Sequence, residues 1–294
     1  MNPYSTHVIS SPRGRRGIFS FVYFELIQHI FTKLRWSLVP LVCAFIAYAV
    51  FGAVLAQSKN TSLDANTWDV LWAVLTNQRL VLFSLTPLFC YLASDLLPEP
   101  AFGQAMLFRL GSRRLWWFGK TITLGLTVIS YTALNVLVLV MIASIVLPWE
   151  RGWSPLSFQK FSEWGAPPAI VTLPPPAIIG LQLILLGLWW FFIGLLVMVV
   201  AQRFQRSTAG FVTGIIINFV TQTIDWYGVF PSSMANFLSS EQIFIFTRAV
   251  QDSAWEIATV VYMITHWVVW IVVVYCWGLK MSLRQDFIQA RETA

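Results

Sequence analysis

Six long apolar runs constrain this chain more than any motif it carries. A bilayer core about 30 Å thick is crossed by roughly 20 helical residues. Residues 36–56, 80–97, 121–147, 177–201, 208–224 and 258–279 each meet or approach that length. Inside lipid every backbone N–H and C=O must be satisfied within the protein, so runs of this length read as helices. The fifth is the shortest and most polar, with Thr213, Asn218, Thr221 and Gln222. The predicted fold class is all-α: a polytopic membrane protein with six transmembrane helices, residues 1–294 forming a single transmembrane domain. Composition agrees. Charged residues make up 11% of the chain, and it holds 15 Trp and 23 Phe. A water-soluble domain carries about 25% charged residues, and disordered, coiled-coil and collagen-like chains are equally far from this composition.

Lysine and arginine set the orientation. The segments before the first run, between the second and third, between the fourth and fifth, and after the sixth hold 14 of the 19 Lys and Arg. The alternate loops hold five: Lys59, Arg79, Arg151, Lys160 and Arg248. The positive-inside rule then places both termini in the cytoplasm of a multi-pass cell-membrane protein. Arg13, Arg15 and Arg16 ahead of an apolar stretch mimic a secretory signal. Glu25, Gln28, His29 and Lys33 interrupt that stretch and no small-residue cleavage site follows, so no cleaved leader is expected.

Between the runs lie shorter features. Residues 17–35 are amphipathic at helical period, with Glu25, Gln28, His29, Thr32, Lys33 and Arg35 on one side and Phe19, Tyr23, Phe24, Leu26, Ile27, Ile30, Phe31 and Leu34 on the other. This predicts an interfacial helix with its apolar face in the acyl boundary, or else a helix packed on a neighbour. After the second run, Pro98 and Pro100 precede a short helix over 101–110 that Gly111 would close. Arg113, Arg114 and Lys120 would then meet anionic headgroups while Trp116 and Trp117 sit at the interface. That segment is either a docking element or a plain positive-inside anchor. Residues 148–176 carry three Trp and seven Pro, and residues 226–257 contain apolar pieces too short to cross. Ser239 with Gln242, and Ser253 with Glu256, have capping-box spacing, which points to short helices in a re-entrant or interfacial element.

Catalytic chemistry is not written in the chain. HExxH, GxSxG and GxxxxGK[ST] patterns are missing, and Cys43, Cys90 and Cys276 lie in apolar runs without metal-type spacing. No enzyme activity, cofactor, metal or nucleic-acid partner is expected, and an energy-coupling ATPase would be a separate chain. His266 is the deepest ionisable group, about halfway along the sixth run. It is either a neutral imidazole bonded to a neighbouring helix or part of a substrate path. Gln182, Asn218 and Gln222 read as interhelical hydrogen-bonding groups, and Gly210 with Gly214 has close-packing GxxxG spacing.

In this arrangement the chain resembles the permease subunit of bacterial type-2 ATP-binding-cassette transporters over nearly all its length. The local match is Phe108-Arg109-Leu110-Gly111-Ser112-Arg113-Arg114-Leu115-Trp116-Trp117, which looks like the R-x-G-S-R-x-x-W-W segment of many such permeases. The resemblance implies that 101–110 is a coupling helix, with Phe102, Gln104, Met106, Arg109 and Arg113 as its ATPase contacts and 17–35 as its brace. It implies two ATPase subunits and a second permease chain, the same or related, within the lipid bilayer. It also implies a pathway near Asn218 and Gln222, with His266 the further candidate, and export of an amphipathic, peptide or lipid-like substrate. The long 148–176 loop departs from the family pattern. The competing readings are an integral membrane anchor, immunity or interaction protein without ATP-driven transport, and an intramembrane enzyme.

Overall fold

Helices account for the architecture, and no strand occurs among the described residues. The structure is a computed structural model that describes residues 13–31, 33–97, 110, 112–167, 170, 172–227, 240–251 and 256–284. Helix α1 (Arg13–Leu26) leads through a π-turn and a 3-10 turn into α2 (Leu38–Thr61). Next come α3 (Thr67–Leu75) and α4 (Gln78–Leu80), which continues through the π-turn Val81–Leu85 into α5 (Thr86–Ala93). The remainder is α6 (Arg113–Ala143), α7 (Pro155–Glu163), α8 (Pro175–Phe204), α9 (Ser207–Tyr227), α10 (Ile245–Gln251) and α11 (Ile257–Arg284).

Five stretches are long and apolar enough to cross a membrane: Leu34–Thr61, Gln78–Leu96, Arg113–Ala143, Pro175–Phe204 and Ile257–Arg284. They overlap all but the fifth of the expected spans, with 80–97 and 121–147 each running past the end of its stretch. The fifth falls in α9, 21 residues long, which packs into the bundle but is not in this set among the described residues. The chain is an all-α polytopic membrane protein.

Helix α8 is the axis. About 61% of its most apolar window is buried, against 28% for the first span and 22% for α11. It packs on α9, α11, α6 and α5, while Phe45 and Tyr48 of α2 and Val261, Val268 and Val272 of α11 stay exposed, a surface suited to lipid. Small residues set the closest approaches. A Cβ on Gly210 would lie 2.4 Å from the Val197 carbonyl oxygen, and one on Gly214 would lie 2.7 Å from Val197 and 2.9 Å from the Cys90 sulfur. The GxxxG spacing therefore seats α9 directly on α8 and the second span.

Helix α1 packs on α6, burying Ile18, Phe21 and Val22, and the π-turn Ile27–Phe31 carries His29 to 6% exposure, while Phe19, Tyr23 and Leu34 of the expected apolar face stay exposed. Two expectations are corrected. Trp116 and Trp117 are buried inside the bundle rather than interfacial, because α6 begins at Arg113 and its first turns are already packed. Lys120, expected among headgroups, is 2% exposed and ion-paired.

The opposite end holds a cap that periodicity did not reveal. Trp72 of α3 packs edge-on against Trp153, Phe161 and Phe246, forming a second apolar cluster with Ile170, Ile178 and Ala249. Helix α7 starts where the Ser154 hydroxyl accepts the Ser157 N–H, followed by Pro155. The apolar piece Ile243–Phe246 is buried, and Gln182 of α8 holds it by donating to the Ile243 carbonyl and accepting the Ile245 N–H. Ser239 and Ser253 lie outside the described residues.

Candidate functional site

Ionic groups gather at the end of the bundle that carries α1. Helix α5 ends in the 3-10 turn Ser94–Leu96, after which Leu97 is extended. A carbonyl at a helix terminus has no intrahelical partner, and here Lys120 supplies one: its ammonium donates to the Leu96 carbonyl at 3.2 Å. The same ammonium donates to Glu25 of α1 at 2.6 Å. One buried cation thus ties the N-terminal helix, the end of the second span and the start of α6. A second tie runs in parallel. Arg35 donates to Asp95 in the 3-10 turn, its guanidinium 4.5 Å from the Tyr91 ring centroid, and Lys33 stands 3.9 Å from the same carboxylate.

Beside these ties lies a cavity of about 390 Å³ lined by Glu25, Gln28, His29, Lys33, Ser94, Asp95, Lys120 and Ser207 and by Leu96 and Leu97. His29 stacks edge-on against Trp36 at 6.4 Å, and its Nε2 has no hydrogen-bond partner among the described residues. Burial, reinforced by the charges of Lys120, Lys33 and Arg35, lowers its pKa to about 3, so it is a neutral imidazole at physiological pH. Sequence spacing missed this cluster because it joins residues 60 and 95 positions apart, whose only shared signal is charge beside apolar runs.

The expected ATPase contacts Phe102, Gln104, Met106 and Arg109 lie outside the described residues, as does 101–109 as a whole. Arg113, the fifth, donates to the Leu283 carbonyl at 3.0 Å, tying the start of α6 to the last turn of α11.

The pathway candidates separate. Asn218 and Gln222 are one turn apart on α9 and both buried; Asn218 donates to the Leu82 carbonyl at 2.6 Å. Neither amide atom of Gln222 has a hydrogen-bond partner among the described residues. His266 lies in α11 at 7% exposure, its ring 5.0 Å from Trp267. Helices α9 and α11 pack chiefly on α8 rather than on each other, so His266 is not gathered with the two amides. At the cap end a second cavity, about 770 Å³, is lined by Trp153, Phe158, Phe161, Leu173, Pro174 and Arg151, among others. Among the described residues, no three His, Cys, Asp or Glu side chains are placed to hold a metal.

No known family model matches the chain, and no curated protein matches it significantly.

Proposed function

We propose that this chain is the membrane subunit of an ATP-driven exporter, worked by a separate ATP-binding-cassette ATPase through the segment after Pro100. The supporting observation is the pair of ties at Lys120 and Arg35. They join α1 to the end of the second span and the start of α6, the two elements that bracket 98–109, in one ion-paired unit. A lever seated in such a socket transmits movement of a docked subunit to the spans; an untethered loop would absorb it. In this reading the spans number six, with α9 the fifth, both termini are cytoplasmic, and two such chains pair with two ATPase subunits. The aromatic and proline-lined cavity at the cap end suits an amphipathic or peptide-like cargo on the far side.

The test is co-purification. The chain, isolated from native membranes in mild detergent, should bring down a Walker-type ATPase, and Arg109→Glu should reduce that recovery while leaving membrane insertion intact. Isolation of the chain alone, or unchanged ATPase recovery in the mutant, would refute the coupling assignment.

A further inference from the structure

We infer that the cavity between α1 and the ends of the second and third spans is a binding site for a phospholipid headgroup that carries both a phosphate and a primary ammonium. Three observations carry this. First, eight of the ten lining residues have polar side chains, and the formal charges of the lining balance, Glu25 and Asp95 against Lys33 and Lys120, with Arg35 bonded to Asp95 from outside the lining. A net-neutral, charge-separated lining repels neither end of a zwitterion, whereas a lone anion meets two carboxylates and a lone cation two ammonium groups. Second, His29 borders the cavity at 6% exposure with its Nε2 unpartnered among the described residues. A buried polar atom without a partner is costly, and a ligand oxygen or N–H relieves that cost. Third, the same segment bears strongly exposed apolar side chains, Phe19 at 76%, Tyr23 at 68% and Leu34 at 86%. They give acyl chains a surface beside the polar cavity, as an interfacial helix does.

In this arrangement the ligand ammonium donates to the Glu25 and Asp95 carboxylates. The phosphate accepts from Lys33, the loosest ion pair of the cluster at 3.9 Å, and from His29 in its Nε2–H tautomer. The site does not depend on the exporter reading, since no ATPase enters its test.

The full chain, delipidated in detergent, is incubated with equal amounts of phosphatidylethanolamine, phosphatidylcholine and phosphatidylglycerol of identical acyl chains, and bound lipid is counted by native mass spectrometry. Phosphatidylethanolamine should be retained about tenfold over phosphatidylcholine, whose quaternary nitrogen cannot donate, and over anionic phosphatidylglycerol. His29→Phe and Lys33→Gln should each cut that preference several-fold; Lys33 is half-exposed, so its variant should fold even where the histidine variant does not. Equal retention of the three lipids, a preference for phosphatidylglycerol, or a phosphatidylethanolamine preference untouched by Lys33→Gln would overturn the site. Soluble glycerophosphoethanolamine separates the sources. Its failure to displace the lipid supports a membrane ligand, and displacement at equal concentration overturns one.

Discussion

Lys120 donates to Glu25 at 2.6 Å, with the lysine side chain 2% exposed and the carboxylate 13%. Charges this far from water are tolerated only in pairs, and removing one partner of a buried pair costs roughly 3–5 kcal/mol, whereas replacing both with apolar groups costs far less. Glu25→Leu and Lys120→Met should therefore each lower the melting temperature in detergent markedly. The double variant should recover much of the loss. Strict additivity of the two effects would mean that the pair does not act as a unit.

His29 should make stability fall with acidity. Its folded pKa of about 3 lies below the 6.5 of an unperturbed imidazole, so between those limits the unfolded chain binds more protons than the folded one. Stability is then fully present above pH 6.5 and is lost as pH falls towards 3, at about 1.4 kcal/mol per pH unit at the steepest. Denaturation midpoints measured across that window should show a shallower slope in His29→Gln. An unchanged slope would assign the acid sensitivity to the carboxylates.

Much of the architecture was legible because lipid enforces it. The five spanning stretches follow from uninterrupted apolar length, and the packing glycines from their spacing. Pairing was not legible. The run 17–35 is amphipathic, yet periodicity cannot say whether Glu25 and His29 face water or a neighbouring ammonium. The true partner, Lys120, reads locally as one more positive-inside charge. Trp116 and Trp117 misled for the same reason, since an aromatic pair beside two arginines looks interfacial until α1 and α11 cover it. Helix α3 did leave a local signal. Asn66 accepts the Trp68 N–H at 3.0 Å while Asp69 accepts the Asn66 N–H at 2.6 Å, a capping box in four consecutive residues that hydropathy scanning passes over.

The carboxylate of Asp69 also links the cap. It accepts from the Ser154 hydroxyl at 2.8 Å and from the Ser157 hydroxyl, joining the start of α3 to the start of α7. Asp69→Ala would leave three buried donors without an acceptor, at roughly 1–3 kcal/mol for each one that water cannot reach. Proteolysis should then cut first between 148 and 176, leaving the spans intact. Uniform loss of the whole bundle would show that the cap does not unfold separately.

Gly278 meets Trp117 more closely than any larger residue could. A Cβ there would lie 2.2 Å from the indole Cζ2 and 2.8 Å from Val199. Gly278→Ala should destabilise the bundle by roughly 1–3 kcal/mol through overpacking. Trp117→Phe, which withdraws the outer ring, should offset part of that cost in the double variant even though it gives up the indole bond to the Tyr275 carbonyl. Equal losses with tryptophan and phenylalanine at 117 would place the strain at Val199 instead.

Asn218 was expected near a pathway, and its position gives it a structural duty that can be tested apart from any pathway role. The π-turn Val81–Leu85 widens the second span, and two side chains bond to carbonyls along it: Asn218 donates to Leu82 at 2.6 Å and Tyr131 to Leu85 at 2.7 Å. Interhelical bonds of this kind contribute about 0.6–2 kcal/mol, and these two clamp neighbouring turns of one segment. Asn218→Ala and Tyr131→Phe should each lower resistance to unfolding in detergent. Their combined effect should differ from the sum, because losing either clamp frees the widened turn that the other holds. Asn218→Asp should be worse than alanine, since it replaces a donating amide with an acceptor-only carboxylate facing a carbonyl oxygen. If alanine at 218 left unfolding unchanged, Asn218 would not serve as a clamp.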